Sequence, residues 1–190
     1  MKVGVLALQG AAGLHLAALA SVGAAALAVR RPDELADVDR LILPGGESTT
    51  ISMLLEANGL VQPLAERIAG GMAVLGTCAG LLLLATDVAD GRDDQRCFGA
   101  LDISARRNAY GPQSESFEAP LQVAAQGPAP LTAIFIRSPV VERTGPDVEV
   151  LARLDGRPVL CRQGRVWGCT FHPELSGDLR LHHLFCEEAP

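Results

Sequence analysis

Apolar positions fall along the chain in short β-branched runs separated by stretches of helical spacing, the pattern of a parallel sheet covered by helices. Lys2–Leu8 predicts a buried first strand, Leu14–Ser21 a helix stopped by Gly23, and Ala25–Val29 a second strand. A charged connection over Arg30–Asp39 leads into a third strand, Arg40–Leu43, which closes on Pro44-Gly45-Gly46. Ser48, Thr49 and Thr50 are candidate caps for a helix running to the Asn58-Gly59 stop. Pro63–Ala69 predicts a further helix and Met72–Gly76 a strand. Ala79–Thr86 reads as a helix apolar on nearly every side, hence buried.

Beyond Asp87 the character changes. Asp90–Gln95 is a polar loop, and the strands that follow look antiparallel: Leu101–Arg106, Phe117–Val123, Ala133–Ile136, Glu149–Leu154, Pro158–Cys161 and Val166–Phe171. Leu179–Cys186 predicts a closing helix. The expected fold is α/β in three layers, a mainly parallel central sheet with helices on both faces and an antiparallel extension. No repeat, low-complexity tail or linker divides the sequence, so one domain over residues 1–190 is expected.

Composition narrows the function classes. With 190 residues, 48% of them hydrophobic, the chain can bury one sizeable core. The net charge is −6, Lys2 is the only lysine and the arginines are scattered along the chain, so no cationic cluster is expected to bind nucleic acid or an anionic membrane. Apolar runs break well before the roughly eighteen residues a membrane span requires. The start of the chain shows no secretory signal, and the five cysteines (78, 97, 161, 169 and 186) lack CxxC or Cys/His metal spacing. These features point to a reduced, cytoplasmic protein, and no metal or organic cofactor is expected.

The sharpest local signal is Gly76-Thr77-Cys78-Ala79-Gly80, between a strand and an apolar helix. It is the cysteine form of the G-x-S-x-G elbow, whose small residues let a strained turn expose a nucleophile. A cysteine at a helix N-terminus is favoured as thiolate, and the Ala79 N–H would point at the oxygen of a bound carbonyl. By itself the turn also suits a small buried cysteine. The second signal is Phe171-His172-Pro173-Glu174. Pro173 biases His172 towards extended chain, where side chains two apart share a face, so Glu174 could orient the His172 imidazole towards Cys78. Alone, His-Pro-Glu could be a surface turn; combined with the elbow it supplies an oriented base. The third is Pro44-Gly45-Gly46-Glu47-Ser48. Its glycines permit close backbone approach and an anion nest, which could complete an oxyanion hole or cradle a phosphate, although no Walker Gly-Lys-Ser/Thr follows.

At these motifs the sequence resembles the class I, triad-type glutamine amidotransferases, and among them the glutaminases of pyridoxal 5′-phosphate synthase. The likeness spans nearly the whole chain. Beyond the three motifs it includes Leu8-Gln9-Gly10, Arg107-Asn108-Ala109-Tyr110-Gly111, Ser116-Phe117-Glu118 and Phe135-Ile136-Arg137. The resemblance implies a Cys78, His172 and Glu174 triad that hydrolyses L-glutamine to L-glutamate and ammonia. It further implies that Gly46, Glu47, Ser48, Arg107, Ile136 and Arg137 bind glutamine, and that Gly46 and Ala79 hold the oxyanion. Gln9 would lie between the oxyanion region and the partner interface. The implied partner is a synthase subunit that builds pyridoxal phosphate from a pentose phosphate and a triose phosphate. Where the family places charged residues ahead of a histidine, this chain has Ala12-Gly13-Leu14 before His15, so partner salt bridges from this helix are not expected.

Three other readings share parts of this pattern: a cysteine peptidase on the same elbow, a silent binding module, and a glutaminase serving another synthase. His15 reads as a helix-face residue, and the adjacent His182 and His183 point apart on their helix, a poor metal pair. Cys97, Cys161, Cys169 and Cys186 read as small structural hydrophobes, and Trp167 as core or sheet edge.

Overall fold

The computed structural model describes residues 1–92, 95–107, 116–123, 127 and 129–187. Its first half runs β1 (Lys2–Leu6), α1 (Ala12–Ser21), β2 (Ala25–Val29), α2 (Pro32–Ala36), β3 (Arg40–Leu43), α3 (Ser48–Ala57), α4 (Val61–Ala69), β4 (Ala73–Thr77) and α5 (Ala79–Leu84). The second half adds β5 (Ala85–Ala89), β6 (Leu101–Arg106), β7 (Phe117–Leu121), β8 (Leu131–Phe135), β9 (Val140–Thr144), β10 (Glu149–Leu154), β11 (Arg157–Gln163), β12 (Val166–Cys169) and α6 (Arg180–Glu187).

Seven strands form the central sheet in the order β10-β11-β12-β4-β3-β1-β2. From β2 to β12 all neighbours are parallel, and β11 and β10 extend the sheet antiparallel. This is the expected three-layer α/β fold. Strand residues alternate between the faces: Val3, Val5, Ile42 and Leu75 join one core, whereas Leu6, Leu41, Leu43 and Val74 join the other. The first core is closed by α1, α6 and the β7-β8 hairpin, and the second by α2–α5 and the small β5-β6-β9 sheet.

Several boundaries differ from the sequence reading. The helix expected over Ala79–Thr86 ends at Leu84, and Ala85–Ala89 forms a strand beside β6. Four consecutive leucines carry no period that marks where helix yields to strand. All four are at most 5% exposed, each burial contributing about 2 kcal/mol. The connection over Arg30–Asp39 contains α2, with Pro32 at its first turn and Glu34 accepting hydrogen bonds from the Arg30 and Arg31 N–H groups at 2.6 and 3.1 Å. That start signal was in the sequence and went unread. Strand β9 was also missed, and β12 ends at Cys169 rather than Phe171.

Candidate active site

The carboxyl ends of β1, β3, β4 and β12 converge beside the place where strand order reverses between β1 and β3, the usual ligand position in doubly wound sheets. A cavity of about 350 Å³ opens there, lined by Gln9, Gly45, Gly46, Glu47, Ser48, Cys78, Ala79, Arg107, Ile136, Arg137 and His172, among others. Every residue expected from sequence therefore lines it except Glu174, which is buried behind His172. Asn108–Gly111, part of the resemblance, lie outside the described residues.

Cys78 sits between β4 and α5 with φ 49° and ψ −101°, a left-handed backbone costly for a residue with a Cβ. Its N–H is tied to the Cys169 carbonyl of β12 at 2.8 Å. Both elbow glycines are required by space. A Cβ at Gly76 would stand 2.5 Å from the Gly80 backbone, and one at Gly80 would overlap the Leu43 carbonyl oxygen. The same closeness packs α5 against β3 and leaves the first N–H groups of α5 facing the cavity end of the helix.

His172 is anchored by its N–H to the Ile134 carbonyl of β8 at 2.8 Å, and its Nδ1 lies 2.8 Å from Glu174 Oε1. The pairing is as expected but its cause is not. The Leu175 N–H bonds the His172 carbonyl at 3.3 Å, so residues 172–175 form a turn instead of continuing the strand. The turn, not strand alternation, brings the two side chains together. Burial works against charge on His172, yet hydrogen bonds and charge from Cys78 and Glu174 outweigh it and raise its pKa to about 10. Glu174 is held below the usual carboxylate range: burial opposes this, and the hydrogen bond from His172, with the charge on that ring, prevails.

The opposite wall is built by the Gly45-Gly46 loop. A Cβ on Gly45 would run into the His172 ring, and one on Gly46 into the Gln9 side-chain oxygen. The Ala11 N–H donates to the Gly45 carbonyl at 3.0 Å, which directs the N–H of Gly46, on the far edge of the same trans peptide, away from α1. Gln9 Oε1 accepts the Glu47 N–H at 2.9 Å, joining the loops after β1 and β3.

The cap of α3 is Glu47, not one of the hydroxyl residues expected. Its carboxylate accepts the Thr49 and Thr50 N–H groups at 3.1 and 2.7 Å and the Thr50 hydroxyl at 2.8 Å. A longer side chain can reach back over the helix start because the extended backbone of Glu47 aims it there. Arg107 binds the same carboxylate at 2.6 Å and Thr49 Oγ1 at 3.0 Å. Burial would raise the Glu47 pKa, but these hydrogen bonds, led by Thr50, and the Arg107 charge lower it to about 2. Arg137 lines the cavity with φ 45°, a second strained residue at this site.

Sequence reasoning passed over several neighbours. Gln95, in the loop assigned no role, accepts from Ser48 Oγ at 3.3 Å and from Arg107 at 3.4 Å; Arg96 N–H donates to Ser52 Oγ at 2.7 Å. No local pattern signals these contacts, which depend on Gln95 and Arg96 meeting α3. His15 is wholly buried, not a helix-face residue, and stands 3.3 Å from Glu174 Oε2. His182 is buried against it while His183 is on the surface. Cys161 and Cys169 are buried as expected, but Cys97 is exposed; Trp167 belongs to the core.

Fold and cavity are those of the doubly wound α/β proteins that carry a cysteine elbow beside the reversal in strand order. Within that class, the chain matches the SNO glutamine amidotransferase family over residues 5–189, and it belongs to that family. It is 54% identical over 187 residues to the pyridoxal 5′-phosphate synthase subunit PdxT of Parafrankia sp. (strain EAN1pec), covering 98% of this chain and 92% of that one. The protein of the same name from Acidothermus cellulolyticus is 53% identical over 189 residues, covering 97% and 91%. A crystal structure of a glutamine amidotransferase superposes with a TM-score of 0.90 at 46% identity, covering 97% of each chain. PurLQS from Thermotoga maritima, at 18% identity and a TM-score of 0.67, shares the fold.

Proposed function

We propose that this chain is a single glutaminase domain over residues 1–190, hydrolysing L-glutamine to L-glutamate and ammonia and passing the ammonia to a pyridoxal 5′-phosphate synthase subunit. The observation that carries the chemistry is the strained Cys78 facing a His172 imidazole whose far nitrogen is held by buried Glu174 at 2.8 Å. The choice of product rests on the PdxT relatives named above.

The steps follow from the groups present. The sulfur of Cys78 gives its proton to His172, which becomes the imidazolium. That sulfur attacks the side-chain amide carbon of glutamine, and the oxygen gains a charge that the Ala79 and Gly46 N–H groups would hold. His172 gives its proton to the departing nitrogen, releasing ammonia and leaving a Cys78 thioester. Water then attacks the thioester, His172 accepts its proton, and glutamate leaves with the sulfur restored. Glu174 orients the imidazole throughout. Arg107, with Glu47, Ser48, Ile136 and Arg137, would hold the amino-acid end of glutamine, the guanidinium of Arg107 meeting the α-carboxylate. Gln9 fixes the Glu47 backbone and stands at the rim where a partner would dock.

No helix among the described residues is long and apolar enough to cross a membrane. All five cysteines are free, which supports a reducing, cytoplasmic setting. The decisive experiment is glutamate release by the full chain with the synthase subunit present. Cys78→Ala should abolish it, and Glu174→Gln should leave more activity than His172→Ala, because Glu174 orients and does not react. Turnover by Cys78→Ala near the wild-type rate would sink the mechanism.

A further inference from the structure

Behind Glu174 lies a buried polar column that the steps above leave unused. Glu174 Oε1 is occupied by His172, while Oε2 makes no hydrogen bond and has His15 Nε2 3.3 Å away. That nitrogen is also 3.3 Å from Thr77 Oγ1, on the residue before Cys78. The other His15 nitrogen, Nδ1, is 2.9 Å from His182 Nε2. His15, Thr77 and His182 are each 0% exposed, so α1, β4, α6 and the turn over 172–175 meet in one dry cluster.

The protons in this cluster can be assigned. His15 is neutral at physiological pH, because burial lowers its pKa to about 4 despite the opposing charge of Glu174. It therefore carries a single N–H. Were that proton on Nδ1, a bare Nε2 lone pair would face the carboxylate, and His182 would be left with an orphaned N–H at its buried Nδ1. With the proton on Nε2, His15 donates to Thr77 Oγ1, turns the positive end of the same N–H towards Glu174 Oε2, and accepts from His182 Nε2–H. The orphans are then two acceptors, His182 Nδ1 and Glu174 Oε2, and unpaired acceptors cost less than an unpaired donor beside repelling lone pairs.

We propose that His15 is a positioning residue for the reaction: its Nε2–H, hydrogen-bonded to Thr77 Oγ1, sets the positive end of its dipole 3.3 Å from the free oxygen of Glu174, and His182 fixes the tautomer of His15. The inference rests on the triad reading. Without His15, Glu174 Oε2 loses the polar N–H that faces it and is left free to turn or take up a proton, and His172 loses its orientation.

The test uses the full chain with its synthase subunit. His15→Leu should lower kcat by about 10- to 100-fold with KM changed less than about threefold. His15→Gln, whose amide N–H₂ reaches the same place, should restore most of the rate. In a Glu174→Gln background, His15→Leu should lower kcat no further than about twofold, since its target is gone. An equal loss in both backgrounds would mean a merely structural role and overturn the proposal, as would a wild-type rate for His15→Leu. Nitrogen-15 NMR of labelled histidine reads the tautomer without any turnover: Nε2–H on His15 supports the proposal, and Nδ1–H overturns it even if glutaminase activity is intact. A wild-type chain that releases no glutamate condemns the glutaminase reading instead, and the NMR result still decides the hydrogen-bond assignment.

Discussion

Replacing Gly45 with alanine adds one methyl group at the point where the loop after β3 touches the His172 imidazole. The Cβ would stand 2.9 Å from His172 Nδ1 and closer still to Cε1, against about 3.4 Å for an ordinary contact. Nδ1 must retreat by roughly half an ångström and Cε1 by about twice that. Nδ1 is also the atom held by Glu174 at 2.8 Å, so the ring cannot move without loosening that bond. Gly45 does not lie in the left-handed region, which leaves alanine no backbone strain to explain an effect. A reacting group misplaced by about 1 Å costs about a hundredfold in rate. Gly45→Ala should thus lower kcat about 100-fold, equivalent to about 2.7 kcal/mol of barrier, while KM moves little. The assay is glutamate release with the synthase subunit, paired with thermal unfolding, which should shift by no more than about 1 kcal/mol. A correctly folded Gly45→Ala within threefold of wild type would refute the claim that this glycine exists to seat the imidazole.

A diazo-ketone analogue of glutamine should add one equivalent, at Cys78 alone, read by peptide mapping. Burial pushes Cys161 up to about 11 and Cys169 well above the usual thiol range, and neither lines the cavity; label on either would displace Cys78 as nucleophile. Arg107→Ala should raise KM for glutamine by about tenfold or more with kcat changed less, and the reverse split would remove Arg107 from substrate binding. The fold should lose stability as pH falls from about 6.5 to about 4, because His15 stays neutral when folded but takes a proton when unfolded. Its loss could reach on the order of 3 kcal/mol, with Glu174, His182 and His172 as its charged or titratable neighbours. His15→Gln should flatten that part of the stability–pH curve, and an unchanged slope would refute the assignment.

The parts of this molecule that could be read in advance are those whose physics is local in sequence. Continuous apolar runs mark β1, β3 and β4, because both faces of those strands are buried. The elbow was legible because Gly76 and Gly80 are demanded by contacts within five residues of each other and with the adjoining strand. What stayed hidden depends on distant segments meeting. His15, on α1, reaches Glu174 and His182 across 159 and 167 positions of chain, and nothing in Gly13-Leu14-His15 announces a buried ring. The Glu47 carboxylate, besides lining the cavity, caps α3 and binds Arg107, contacts that family pattern alone does not reveal. The same logic explains the correct pairing of His172 with Glu174 for the wrong reason. A spacing of two suits both a strand face and a tight turn, and only the Leu175 to His172 hydrogen bond separates them. The distinction matters for function. A strand would tie Glu174 to the sheet through its backbone, whereas the turn leaves its carboxylate facing inward, where the nearest ring behind it is His15 at 3.3 Å.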